Sequence, residues 1–188
     1  NIECNLNGNL MLTDNAVDKI EGKGGGIATI ATGEGDCISL NLKHASINGH
    51  DATYGGGVFT SATSGAKTEL VVAGNTSISG NKATYGGGIM LYSGSKMQLA
   101  DQAIISDNSA RHSGGGIHVF TDSSLVATGG VLKGNNAVSD DQVERVGGAV
   151  YIHESSSADM AGTNMQGNSA DNGGAIYTSG KLNVADCN

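Results

Sequence analysis

A glycine doublet or triplet followed by a β-branched residue recurs six times, beginning at Gly24, Gly55, Gly86, Gly114, Gly147 and Gly173. A second motif precedes each instance: LTDN ending at Asn15, INGH at His50, ISGN at Asn81, ISDN at Asn108, LKGN at Asn135 and MQGN at Asn168. A third signature, an apolar residue and then Ala, stands at Val72-Ala73, Leu99-Ala100, Val126-Ala127, Met160-Ala161 and Val184-Ala185. The period of about thirty residues is far too long for collagen triplets or heptads, and helix-forming runs are absent. Three punctuated segments per period predict an all-β fold, a right-handed parallel β-helix (solenoid) with three strands per coil and about six coils. Residues 1–188 read as a single β-helix segment. The chain opens on Asn1 inside a repeat, which suggests a mature piece or a portion of a longer chain or assembly.

Each residue type has a mechanical reason to recur. Short strands such as Ile89-Met90-Leu91-Tyr92 alternate β-branched inward positions with outward ones. Gly-Gly supplies the positive φ and close backbone approach needed where one strand bends into the next. Asn also tolerates the left-handed region, and coils stacked at ~4.8 Å bring buried amides within reach of one another. Asn81, Asn108, Asn135 and Asn168 are therefore expected to form a structural ladder, with His50 as its odd member. The other reading of this row is a line of ligands. Six coils at ~4.8 Å would make a rod about 29 Å long with unpaired strand edges at both ends.

Composition narrows the function. The net charge is −8 with a pI near 4.9, and no stretch gathers Lys or Arg, so nucleic acid and anionic membrane are not expected partners. No apolar run approaches the roughly 20 residues of a transmembrane helix, so membrane insertion by this segment is not expected. The chain has no Trp, five Tyr and two Phe. With the β-branched residue of each glycine motif taken as inward, Ala28, Phe59, Met90, His118, Tyr151 and Tyr177 point outward, followed two residues on by Ile30, Ser61, Tyr92, Phe120, His153 and Ser179. Phe59, Met90, Tyr92, His118, Phe120, Tyr151, His153 and Tyr177 thus form a candidate binding face, flanked by Tyr54 and Tyr85. Aromatic faces stack on sugar rings and anchor protein interfaces; they also stabilise exposed sheets as cross-strand neighbours.

At the paired motif, as in ISGNKATYGGGIML and ISDNSARHSGGGIHV, the chain resembles the polymorphic outer membrane protein (Pmp) repeat of chlamydial autotransporter adhesins. That family alternates a GGA(I/L/V) tetrapeptide with an FxxN tetrapeptide. GGAV at Gly147 and GGAI at Gly173 match outright, whereas four repeats carry GGG, and Ile, Leu or Met stands where the family has Phe. The resemblance covers nearly the whole chain. It implies a β-helical surface protein, and adhesion by a secreted passenger domain as its activity.

Catalytic signals are few. A glycosidase or a calcium-assisted lyase needs neighbouring carboxylates, and the outward row offers His118 and His153 without an acid. The one dense charge cluster, Asp140, Asp141, Glu144 and Arg145, lies in an insertion spanning 136–146 and reads as a solvated or recognition loop. Gly33-Glu34-Gly35-Asp36 resembles a fragment of a calcium-binding β-roll repeat but occurs once. No cysteine pair has zinc-ligand spacing, and neither a metal nor a cofactor is expected. Asn75-Thr76-Ser77 is a glycosylation sequon in a turn. Aligning Leu6 with Leu40 brings Cys4 and Cys37 to nearly the same place in adjacent coils, within the 5–6 Å that a disulfide spans, and leaves Cys187 over. The expected protein is an extracellular, cell-surface, non-enzymatic adhesin or display rod whose partner is a glycan or a host or neighbouring surface protein. The alternative is a fibre subunit self-associating end to end; a polysaccharide lyase or hydrolase ranks third.

Overall fold

A computed structural model describes residues 2–6, 10–17, 21–138 and 144–188. Among the described residues there is no helix, and every strand pairing is parallel. The strands that follow Gly-Gly stack as a six-stranded sheet: Ile27–Ala31, Val58–Ala62, Ile89–Tyr92, Ile117–Val119, Val150–Ile152 and Ile176–Thr178. One rung per motif makes a β-solenoid of about five turns.

The chain then enters a larger sheet, which takes two consecutive segments of each turn. In one turn these are Lys67–Ala73 and Ser77–Ser79; in the next they fuse into the single bent strand Ser95–Ser106. The bend falls at left-handed residues, with φ of 61° at His44, 61° at Gly74 and 60° at Asp101. A small third sheet of Lys82–Tyr85, Ser109–Ser113 and Asn136–Ala137 leads back to the next Gly-Gly.

Because the register repeats, like stacks on like. Leu42, Val72, Leu99, Ala127 and Met160 form one inward column; Ile47, Ile78, Ile105, Leu132 and Met165 form another. Val58, Ile89, Ile117 and Val150 form a third, continued by Ile27 and Ile176 at its ends. These columns close the apolar core, and their burial is the main stabilising force at ~25 cal/mol per Å² of apolar surface.

The ladder of amides lies along one corner of this core. The Asn81 backbone N–H donates to Asn108 Oδ1 at 3.0 Å, and the Asn81 Nδ2 group donates to the same oxygen at 2.9 Å and to the Ile47 carbonyl at 3.1 Å. Asn108 repeats the pattern onto Asn135, and Asn135 onto Asn168. His50 fits with a different side chain. Its Nδ1 accepts the Asn15 N–H at 2.9 Å while Nε2 faces the Leu12 carbonyl at 3.1 Å, so the neutral Nε2–H tautomer reproduces an amide's acceptor and donor. The left-handed residue is not the Asn itself, contrary to the sequence expectation. It is the residue before: Gly80, Asp107, Gly134 and Gly167 have φ of 63°, 55°, 63° and 61°.

A second buried ladder was not anticipated. Thr68 Oγ1 donates to Ser95 Oγ at 2.8 Å, the Ser95 N–H donates to Ser123 Oγ at 3.2 Å, and the Ser123 N–H donates to Ser156 Oγ at 3.3 Å. Hydroxyls there satisfy the backbone where the chain passes from the six-stranded sheet to the larger one.

The disulfide expectation is overturned. Cys4 pairs in register with Leu40 and Ile2 with Ile38, so Cys37 sits three positions away along the strand, about 10 Å at ~3.3 Å per residue. That exceeds the reach of a disulfide, and Cys4, Cys37 and Cys187 are all free. The apolar columns set a register two residues away from the Leu6–Leu40 alignment, because they put Leu6 against Leu42.

Candidate functional site: an aromatic groove on the six-stranded sheet

The alternation of each post-glycine strand determines which side chains leave the core. Val58, Ile89, Ile117 and Val150 point inward, and their neighbours Phe59, Met90, His118 and Tyr151 point away from the core cluster. Phe59, Met90 and His118 nevertheless retain only 2 %, 2 % and 3 % of their surface. This corrects the expectation that they are presented to solvent: they face outward but are covered.

Two rows of rings cover them. On one side, Tyr54 and Tyr85, each just before its glycines, stack across turns at 5.7 Å, and His112, two residues before Gly114, tilts against Tyr85 at 5.2 Å. On the other, Tyr92 stacks on Phe120 at 5.5 Å and Phe120 meets His153 edge-on at 4.4 Å. Phe59 packs at the foot of this second row, 6.0 Å from Tyr92. The floor continues from His118 to Tyr151 at 4.5 Å, and Tyr151 stacks on Tyr177 at 5.9 Å. Tyr92 is exposed, and Phe120, Tyr151, His153 and Tyr177 are half-buried.

Between the rows lies a groove of about 310 Å³ lined by Tyr54, Tyr85, Met90, Tyr92, His118 and Phe120. It adjoins a second hollow of about 200 Å³ that shares Tyr54 and Tyr92 and is closed by Phe59, Glu21 and Lys23. The Lys23 ammonium lies 5.8 Å from the Phe59 ring, a cation–π distance. His118 joins the two walls, edge-on to Tyr85 at 5.8 Å and to Phe120 at 5.4 Å. Its Nδ1 shares a hydrogen bond of 3.0 Å with Ser113 Oγ, while Nε2 is buried with no partner among the described residues. Burial, only partly offset by a hydrogen bond to the Ser113 backbone and reinforced by nearby His153, lowers the imidazole from 6.5 to about 3, so it is neutral at physiological pH.

Tyr54 and Tyr85 prove to be walls rather than mere flanks, and His112, Lys23 and Glu21 were missed. A legible signal existed: the residues at the end of the pre-glycine segment are held in register, Lys23 with Tyr54 and Tyr54 with Tyr85.

The remaining candidates lie elsewhere. Asp140 and Asp141 fall outside the described residues. Arg145 Nε forms an ion pair with Asp171 at 2.6 Å, and Glu144 accepts a hydrogen bond from Asn172, tying the end of the insertion to the next turn. Asp36 Oδ2 accepts the Gly33 N–H at 2.9 Å and so closes its own turn. Among the described residues no group of three or more His, Cys, Asp or Glu side chains is placed to hold a metal. Asn75 is exposed in the turn after Lys67–Ala73. Cys187 packs at the edge of the core, its thiol directed at the Met160 and Ala185 carbonyls.

No curated protein and no solved structure matches the chain. Residues 162–179 match the family model described as the Chlamydia polymorphic membrane protein (Chlamydia_PMP) repeat. That stretch contains MQGN and GGAI, one ladder residue and one glycine turn of the solenoid. With these motifs built into successive turns of a parallel β-solenoid, the chain carries a Pmp-type β-helix repeat.

Proposed function

We propose that this chain is a non-enzymatic module of an extracellular, surface-associated protein and acts in adhesion through its aromatic groove. The observation that carries the reading is the pair of aromatic walls on a chain of net charge −8. Rings concentrated along one face of a polar rod are the composition of a contact surface. The Pmp-type repeat supports a place at the cell surface. Among the described residues, those lining the groove's centre include neither carboxylate nor ammonium, and the acid–base pair that glycoside cleavage requires is not among them. The test is attachment of beads coated with the chain to epithelial cells. Tyr92→Ala with Phe120→Ala should cut attachment about tenfold while the circular dichroism spectrum stays that of the parent. Undiminished attachment by a folded double variant would refute the reading.

End-to-end stacking into a fibre has its own support. Ile2 is 65 % exposed and Met11 70 % at one end of the larger sheet, and Val184 is 49 % exposed at the other. Apolar rungs at an end of the sheet can pair with a further strand, from a second copy or from the same polypeptide. Electron microscopy across a concentration series would show unbranched filaments if this operates, and isolated rods if it does not.

A further inference from the structure

The hollow beside the groove combines groups that ring packing alone does not require. About 200 Å³ in volume, it is lined by the rings of Tyr54, Phe59 and Tyr92 and by two opposite charges, Glu21 and Lys23. Phe59 is its covered base. Tyr92 is exposed and Tyr54 half-buried, so the ring surface left to a ligand is that of the two tyrosines. Glu21 and Lys23 are both exposed, and among the described residues neither has an ion-pair partner, not even the other. The Lys23 ammonium lies instead 5.8 Å from the Phe59 ring centre. The hollow thus already holds one cation against a ring, on a chain of net charge −8.

We propose that this hollow binds a phosphocholine head group, its trimethylammonium against the Tyr54 and Tyr92 rings beside Glu21 and its phosphate on Lys23. The site goes beyond the adhesion reading, which rests on the neighbouring groove and shares only Tyr54 and Tyr92 with it. A carboxylate and an ammonium that line one hollow without pairing are complementary to a ligand that carries both charges. The rings decide the kind of cation. A primary ammonium brings three N–H donors that need acceptors, whereas a quaternary one brings none and is held by ring faces and a nearby carboxylate. An anion alone would meet the negative ring faces and Glu21. Because Lys23 is exposed, its ammonium turns from Phe59 to a ligand phosphate by a change of rotamer, and both charges then have partners. The volume lies below the roughly 300–1,000 Å³ of sites for drug-sized molecules and suits a head group alone.

The experiment titrates the full chain with phosphocholine and with dimethylbutyl phosphate, the isostere in which carbon replaces the ammonium nitrogen. Phosphocholine should bind, and the isostere should bind at least about tenfold more weakly, since shape and phosphate are kept and only the positive charge is lost. Glu21→Gln should weaken phosphocholine about fivefold; Lys23→Met should do the same while choline itself binds no more weakly than to the parent. Both positions are exposed, so these variants should keep the parental circular dichroism spectrum, and their lost affinity is not lost fold. Flotation of the chain with phosphatidylcholine vesicles would assign the head group to a lipid; phosphocholine binding without flotation would assign it to a soluble or glycan-borne source. Equal affinity for the isostere would overturn the proposal, because the rings would then be an apolar contact only. Absence of binding at millimolar phosphocholine would overturn it too, as would parental affinity in both Glu21→Gln and Lys23→Met.

Discussion

Gly87 and Gly88 are chemically identical neighbours with different structural duties. A Cβ on Gly87 would lie 2.4 Å from the Gly115 carbonyl oxygen and 2.5 Å from that of Ser109, both backbone atoms that cannot yield without moving a turn. A Cβ on Gly88 would also be tight, 2.7 Å from the Gly116 oxygen, but Ala149 occupies the corresponding place two turns on and is fully buried there. Gly87→Ala should therefore cost roughly 2–3 kcal/mol and Gly88→Ala under about 1 kcal/mol, as read from urea unfolding midpoints. Equal costs would show that the glycines serve chain flexibility rather than contact. The GGG-to-GGA difference between early and late repeats thus changes the third position, the one the fold can vary.

At the scale of the element, the amide ladder decides whether neighbouring turns hold together. Asn108→Ala would strip the acceptor from the Asn81 N–H and the donor from the Ile78 carbonyl, leaving two buried groups unpaired. At ~1–3 kcal/mol for each group, the loss should be about 3 kcal/mol. His50→Asn should stay within about 1 kcal/mol of the parent, because the amide keeps both the Asn15 and Leu12 bonds that the imidazole makes. Chemical denaturation at neutral pH checks both, and a large penalty for His50→Asn would mean that the ring contributes packing an amide cannot replace. The hydroxyl ladder of Thr68, Ser95, Ser123 and Ser156 is the same device in a smaller side chain.

For the whole molecule, His118 links stability to pH. The unfolded chain takes up a proton at His118 near pH 6.5, whereas the folded chain refuses it until about pH 3. Between those values the unfolded state binds more protons, so stability is complete above about pH 6.5 and is lost as pH falls toward about 3. Relative to His118→Phe, the parent should lose about 2 kcal/mol between pH 7.5 and pH 5, at ~1.4 kcal/mol per pH unit. Unfolding curves at those two pH values measure it. A pH-independent difference between parent and variant would show that the imidazole charges in the folded state.

Much of this protein was legible in the linear chain. The all-β class, the parallel stacking and the ladder residues followed from recurrence, because in a solenoid each repeat packs on a near-copy of itself and local pattern becomes neighbour contact. The outward direction of Phe59, Met90 and His118 followed from strand alternation. Their burial did not, because it depends on Tyr54 and Tyr85 from the preceding segment and on Tyr92 and Phe120 further along, rings that meet only when turns stack. The cysteines mark the same boundary: spacing alone permitted a pairing that the core columns displaced by a two-residue change of register. Recurrence in the sequence determined the solenoid and its ladders. Tertiary structure decided the register, the covered groove and the unpaired nitrogen at its floor, since each depends on the exact stacking of neighbouring turns.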